Sequence, residues 1–139
     1  MENCEVPGEL LEAALSVSGN SYARYSGFRV AAAVRDERGR VFSGVNVENS
    51  SYGLTVCAER VAVFNAVTHG AREIKDVLVL ALDSDYPVPP CGACLQVLRE
   101  FSSGDAIVYM VSGRTWRCRV MRLGELLPLG FTLEGRSME

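Results

Sequence analysis

A three-layer α/β/α domain, with helices covering both faces of a five-stranded sheet, is the fold class that the sequence predicts. Three observations carry it. Helix-like and strand-like segments follow one another in the order α-β-β-α-β-α-β-β-α. Residues 77–82 are an almost wholly apolar run, which fits a strand buried on both faces. The chain has 139 residues, and at that size folding buries roughly 68% of the unfolded surface, enough for one core. Residues 1–139 are therefore expected to form a single domain.

Residues 9–17 read as a helix with Leu10, Leu11, Ala14 and Leu15 on one face, ended by Gly19 and Asn20. Residues 28–35 and 41–47 read as strands, with Asp36-Glu37-Arg38-Gly39 as the hairpin turn between them. Residues 57–68 form a second helix that carries Ala58, Val61, Ala62, Phe64 and Ala66 and stops at Gly70. After the apolar strand, Pro87, Pro89 and Pro90 break the chain. Residues 91–101 form a third helix, and Pro90 sits near its first turn, where a missing N–H costs nothing. Strands over 107–111 and 116–121 and a short helix over 123–127 complete the order. The sequence contains no internal repeat and no low-complexity tract.

Composition excludes several classes. Hydrophobic residues make up 48% and charged residues 22%, which is neither disordered, collagenous nor coiled-coil. No apolar run reaches the ~20 residues of a membrane helix. The stretch from Met1 to Pro7 lacks a cationic start and an apolar core, so no signal peptide is expected and the chain is placed in the cytoplasm. Net charge is −3, which argues against a protein built to grip nucleic-acid phosphates.

The five cysteines, Cys4, Cys57, Cys91, Cys94 and Cys118, are an odd number, and a disulfide framework explains them poorly. Metal binding or redox chemistry explains them better. Cys91-Gly92-Ala93-Cys94 places two thiols at i and i+3 at a helix start, where they can share one metal. Zinc, thioredoxin-type redox and chance all produce a C-x-x-C, but a thioredoxin-type motif belongs near the N-terminus of the fold, and this one follows a late, buried strand. Cys57-Ala58-Glu59-Arg60 opens another helix. Two helix N-termini thus present thiols, and the partial positive charge there lowers thiol pKa values toward the thiolate that zinc binds. Three ligands with an open fourth position are the pattern of a catalytic zinc site. Cys4, Cys118 and His69 are the candidates for a fourth ligand. Cys4 lies in a terminus expected to fray, Cys118 reads as a small buried thiol, and His69 suits a helix C-terminus, so the open site is preferred. Glu59, in the first turn beside such a site, can take a proton from water and deliver it to a substrate nitrogen; without that setting it would be an ordinary solvated helix glutamate.

C-x-E followed much later by P-C-x-x-C resembles the signature of zinc deaminases. The sequence as a whole resembles the small, homotetrameric cytidine deaminases. The matching pieces are Tyr25-Ser26-Gly27-Phe28-Arg29-Val30, Gly44-Val45-Asn46-Val47-Glu48-Asn49, Ser51-Tyr52-Gly53, Cys57-Ala58-Glu59-Arg60, Pro90-Cys91-Gly92-Ala93-Cys94 with Gln96-Val97-Leu98, and Leu126-Leu127-Pro128-Leu129-Gly130-Phe131. They run in family order from Tyr22 to Phe131.

The resemblance implies a central mixed five-stranded sheet and a set of roles. Cys57, Cys91 and Cys94 would hold one Zn²⁺ per chain, with Arg60 behind them. Glu59 would be the catalytic proton shuttle. Asn46 and Glu48 would bind the ribose, which fits two residues on one strand face while Val45 and Val47 point into a core. Phe28 would pack on the pyrimidine, and Ala58 would lend backbone groups to the base. Phe131 would complete a neighbouring subunit's pocket in a homotetramer. The implied reaction is hydrolytic: a zinc-activated water attacks C4 of cytosine, Glu59 moves its proton to N3, and ammonia leaves. Cytidine and deoxycytidine would become uridine and deoxyuridine in pyrimidine salvage, with no organic cofactor, no nucleic-acid partner and no membrane. Three alternatives stand beside this reading: a deaminase of a modified cytidine or nucleoside antibiotic, a polynucleotide-editing deaminase, and a non-catalytic zinc domain.

Three thiolates around Zn²⁺ leave a net anionic centre, which relatives offset with two arginines. Here Arg60 supplies one, and Leu95 stands where the second is usual. Leu95→Arg is accordingly expected to shift the acidic limb of kcat/KM. Arg24 in place of proline and Ala31 in place of glycine are further departures, and Arg24 falls near the expected pocket mouth.

Overall fold

Ala31, Ala32 and Ala33 sit in a row on one strand, fully buried together with Val34. Small side chains on both faces let the layers above and below come close. In the computed structural model, which describes residues 4–133, that strand is β1 (Val30–Asp36). It pairs antiparallel with β2 (Val41–Val45) on one side and β3 (Ile74–Ala81) on the other. β3 pairs in parallel with β4 (Ile107–Ser112), and β4 pairs antiparallel with β5 (Cys118–Arg122). The sheet is thus mixed and five-stranded, in the order β2-β1-β3-β4-β5.

Side chains alternate along each strand, so the sheet has two apolar faces. Ala31, Ala33, Leu78 and Leu80 meet Leu10 and Ala14 of α1 (Gly8–Val17). Ala32, Val34, Val77, Val79, Val108 and Met110 meet Ala58, Ala62, Val63 and Ala66 of α2 (Ala58–Thr68), together with Leu95 and Leu98 of α3 (Gly92–Glu100). Leu123 of α4 (Leu123–Leu126) closes that core. The strand β3 is buried on both faces, as the apolar run predicts. Truncating its fully buried Leu78 to alanine would cost about 2–5 kcal/mol.

Two close approaches fix the functional end of the sheet. Gly44 of β2 faces α2, where a Cβ would lie 2.5 Å from the Ala62 nitrogen and 2.8 Å from the Ala58 carbonyl oxygen. Gly113 faces Leu82, where a Cβ would lie 2.6 Å from its Cα. Neither position accommodates a side chain without moving backbone.

The structure departs from the sequence expectations in a few places. β1 begins at Val30, not Phe28, because Gly27 takes a positive φ of 73° and turns the chain just before it. β3 starts three residues earlier than expected, at Ile74. β2 ends at Val45, and Val47 instead makes isolated bridges to Tyr22 and Val56. Val45 packs on the α1 side as expected, but Val47 is exposed, so the expected burial of both valines is corrected for Val47. Cys118 is buried as expected, yet it is bonded to Cys4, with Cα atoms 5.8 Å apart; it is not a free thiol, and Cys4 is held rather than frayed. The polar tail beyond residue 133 lies outside the described residues. Among the described residues, no helix is long and apolar enough to cross a membrane.

Candidate active site

Cys57 is the N-cap of α2 and Cys91 is the N-cap of α3. The fold thereby aims two helix N-termini at one point. Cys57 Sγ and Cys91 Sγ lie 3.8 Å apart, Cys91 Sγ and Cys94 Sγ lie 3.3 Å apart, and all three sulfurs fall within 4.8 Å of one another. Zn–S bonds of about 2.3 Å in a tetrahedral centre put sulfurs roughly 3.8 Å apart. The donor set therefore fits one zinc ion in both spacing and chemistry. Cys94 is buried, Cys57 is half-buried, and Cys91 is exposed toward the adjoining pocket.

The electrostatics favour thiolate. A hydrogen bond from Cys94 holds the Cys57 thiol down at about 5; Arg60, whose Nη2 lies 3.6 Å from Cys57 Sγ, and Cys91 add to this. The Cys94 thiol is pushed up, because it keeps the proton it shares with Cys57 and is desolvated. Arg60 is the cation of the site. Leu95 is 7% exposed and belongs to the core beneath α2 and α3, so an arginine there would enter apolar surroundings.

Glu59 follows in the first turn of α2 and is 5% exposed. Burial pushes its carboxyl up to about 7, and the negative charge of Cys57 adds to this. It lines a cavity of about 350 Å³. Phe28, Asn46, Glu48, Cys57, Ala58 and Cys91 line it with Glu59, and Val88 and Pro89 of the proline-rich segment add to the lining. Among the described residues, the lining contains no Lys, Arg or His.

Asn46 and Glu48 are already bonded to the chain. Asn46 Oδ1 accepts from the Val30 N–H at 3.0 Å and from the Ser21 hydroxyl, and Asn46 Nδ2 donates to the Phe28 carbonyl at 2.8 Å. Glu48 Oε1 accepts from the Tyr25 and Ser26 N–H groups at 2.9 and 3.0 Å, and Oε2 accepts from the Ser26 hydroxyl. These bonds hold Glu48 ionised, with its carboxyl below the usual range. They also fix the segment that carries Phe28.

The structure therefore brings Phe28, Asn46, Glu48, Cys57, Ala58, Glu59 and Cys91 to one cavity, with Cys94 and Arg60 touching Cys57. It places Phe131 apart from that cavity. The Phe131 backbone is pinned to α3 by Gln96, at 2.8 and 3.1 Å, and the residue is 66% exposed. His69 caps the C-terminus of α2, the position expected for it, and stacks on Phe42. Sequence reasoning missed the wall made by Val88 and Pro89; the proline run was read only as a break.

Comparison with known proteins agrees with this geometry. The sequence model described as "Cytidine and deoxycytidylate deaminase zinc-binding region" matches residues 5–110. The chain is 42% identical over 125 residues to a cytidine deaminase of Halalkalibacterium halodurans, covering 90% of this chain and 93% of that one. It is 43% identical over 117 residues to a cytidine deaminase of Sporosarcina psychrophila, covering 84% and 85%. The crystal structure of cytidine deaminase from Burkholderia pseudomallei superposes with a TM-score of 0.84 at 40% identity, covering 91% of this chain and all of that one. With its three-thiol cluster at two helix N-termini and a buried glutamate beside it, this chain belongs to the cytidine and deoxycytidylate deaminase family.

Proposed function

We propose that this protein catalyses the hydrolytic deamination of cytidine and deoxycytidine to uridine and deoxyuridine, with residues 1–139 acting as one deaminase domain. The observation that carries the reading is Glu59, a buried carboxyl on the wall of a cavity of about 350 Å³ that Cys57 and Cys91 also line. Cys57, Cys91 and Cys94 would hold one zinc ion. When bound, the metal supplies Lewis-acid chemistry that makes water nucleophilic near neutral pH. Glu59 takes a proton from the attacking water and delivers it to the pyrimidine N3. A carboxyl raised to about 7 is suited to give and take protons at that pH.

The remaining residues bind and orient. Phe28 offers an aromatic face to the base, and the Ala58 backbone lies beside it at the start of α2. Asn46 spends its oxygen twice and its amide nitrogen once on the chain, which leaves one N–H for a sugar hydroxyl. Glu48 offers an ionised carboxylate to the same sugar. Among the described residues, a 5′-phosphate would meet no cation in the cavity lining and would face Glu48, which favours nucleosides over nucleotides.

The reading extends to assembly and place. Phe131 is held by its backbone while its ring projects outward, and Leu129 is 89% exposed beside it. That arrangement suits a homotetramer in which Phe131 completes a neighbour's site, working in the cytoplasm in pyrimidine salvage. The test is conversion of cytidine to uridine, followed by ultraviolet absorbance on protein of known zinc content. One zinc per chain with turnover supports the reading; full zinc occupancy without turnover of either nucleoside overturns it.

A further inference from the structure

The pocket wall at Val88 and Pro89 belongs to a segment that cannot hold itself in place. Three of residues 87–90 are prolines, which have no N–H to donate. The segment enters Cys91 directly. Its position therefore depends on what anchors the residues on either side: Cys91 caps α3 after it, Arg29 holds Leu82 and Asp83 before it, and a further set of anchors converges on the end of β4.

Ser112 is fully buried at the last position of β4. Its hydroxyl donates to the Ser84 carbonyl at 2.6 Å. Its oxygen accepts from the Thr115 N–H at 3.1 Å, and Thr115 Oγ1 stands 3.0 Å from it. Thr115 Oγ1 also lies 3.1 Å from the Asp85 carbonyl. The Gly113 N–H donates to the Ala81 carbonyl at 2.8 Å, and Gly113 has no side chain where Leu82 backbone passes. The β4–β5 turn is thus zipped onto residues 81–85, immediately before the proline run.

We propose that Ser112, with Thr115, is a positioning residue for substrate binding: it fixes the carbonyls of Ser84 and Asp85 and thereby sets the Val88–Pro89 wall of the nucleoside pocket. The proposal rests on the deaminase reading. It assigns a role in recognition to a side chain that lies outside the cavity lining. Losing the hydroxyl leaves the half-buried Ser84 carbonyl with only the longer bond from the Arg114 N–H at 3.4 Å, and frees the stiff proline segment to tilt away from the substrate.

The test compares Ser112→Ala and Thr115→Val with wild type, and uses Thr115→Ser as the hydroxyl-keeping control. Steady-state kinetics with cytidine are normalised to bound zinc, and amide hydrogen exchange is followed over residues 82–88. The expected result is a KM raised about three- to tenfold, kcat per zinc within about twofold, faster exchange over 82–88, and wild-type behaviour for Thr115→Ser. Thr115 is exposed, so Thr115→Val keeps the test available if Ser112→Ala does not fold. An unchanged KM, with any loss confined to kcat, melting temperature or zinc-loaded fraction, overturns the proposal, and so does unchanged exchange over 82–88. Wild-type protein that carries zinc but converts no cytidine is the distinct failure of the deaminase reading, and the exchange measurement then still decides whether Ser112 and Thr115 hold the segment.

Discussion

Cys57 and Cys91 bring their sulfurs within 3.8 Å of each other, although 34 residues separate them in the chain. Each is the N-cap of its own helix, so both sulfurs sit at the positive ends of helix dipoles. Without a cation, thiolates gathered this closely would repel one another. Zinc binding is therefore expected to stabilise the fold as well as the site. Chelation should lower the melting temperature, and added zinc should restore it. Cys91→Ala should lose the stoichiometric zinc seen in wild type, as measured by metal analysis on dialysed protein. Retention of one zinc per chain would show that the cluster is not the metal site.

In the proposed mechanism, Glu59 separates holding the metal from moving protons. Its carboxyl neighbours the ligands but is not one of the three thiols. Glu59→Gln keeps the shape and removes the proposed proton carrier. The variant should bind zinc as wild type does, while kcat for cytidine falls by at least about 10²-fold. Activity close to wild type would remove Glu59 from the mechanism.

Much of this was legible in the sequence because its strongest signals are local. Alternation of helix and strand, the apolar run of β3 and the cysteine spacing each reflect a periodicity or a helix start. The thiols of Cys57, Cys91 and Cys94 met as expected, since two N-caps at one sheet end can share a point. The mixed five-stranded order came from the resemblance and not from periodicity. The illegible parts depend on tertiary partners. Strand alternation gave Val47 a buried place, but β2 ends two residues earlier and leaves it exposed. Cys4 and Cys118 lie 114 residues apart, and nothing local marks them as a pair. The brace from Ser112 to Ser84 joins a strand end to a loop, and neither segment carries a signal for it.

Gly44 couples the sheet to the catalytic helix. With no Cβ, β2 approaches α2 so closely that an added carbon would meet the Ala62 nitrogen at 2.5 Å. The obstruction is backbone, so relief requires α2 to move, and α2 carries Cys57 at its cap and Glu59 in its first turn. Gly44→Ala is expected to destabilise the protein by about 1–3 kcal/mol, as overpacking does. It should also weaken zinc retention against a chelator. A melting temperature and zinc affinity equal to wild type would show that β2 and α2 separate at no cost.

Arg29 and Asp83 clamp the entry of β1 to the exit of β3. Asp83 Oδ2 accepts from the Arg29 N–H at 2.8 Å and from Nε at 3.0 Å, and Oδ1 accepts from Nη2 at 2.7 Å. These bonds hold the Asp83 carboxyl down at about 2, against an ordinary value of 3.8. The folded-state pKa is depressed, so the stabilisation is complete above the unfolded value and is lost as pH falls through the folded one. The window runs from about pH 4 down to about pH 2. The Arg29 side chain is 53% exposed, so water and salt screen the pair and its contribution is small. Asp83→Asn should therefore unfold more readily than wild type at pH 6, and the gap should close as pH falls from 4 to 2. Denaturant unfolding of both proteins across that range checks this. A gap that stays constant with pH would mean that the bonds to Asp83 act through shape alone and that its charge contributes nothing to the clamp.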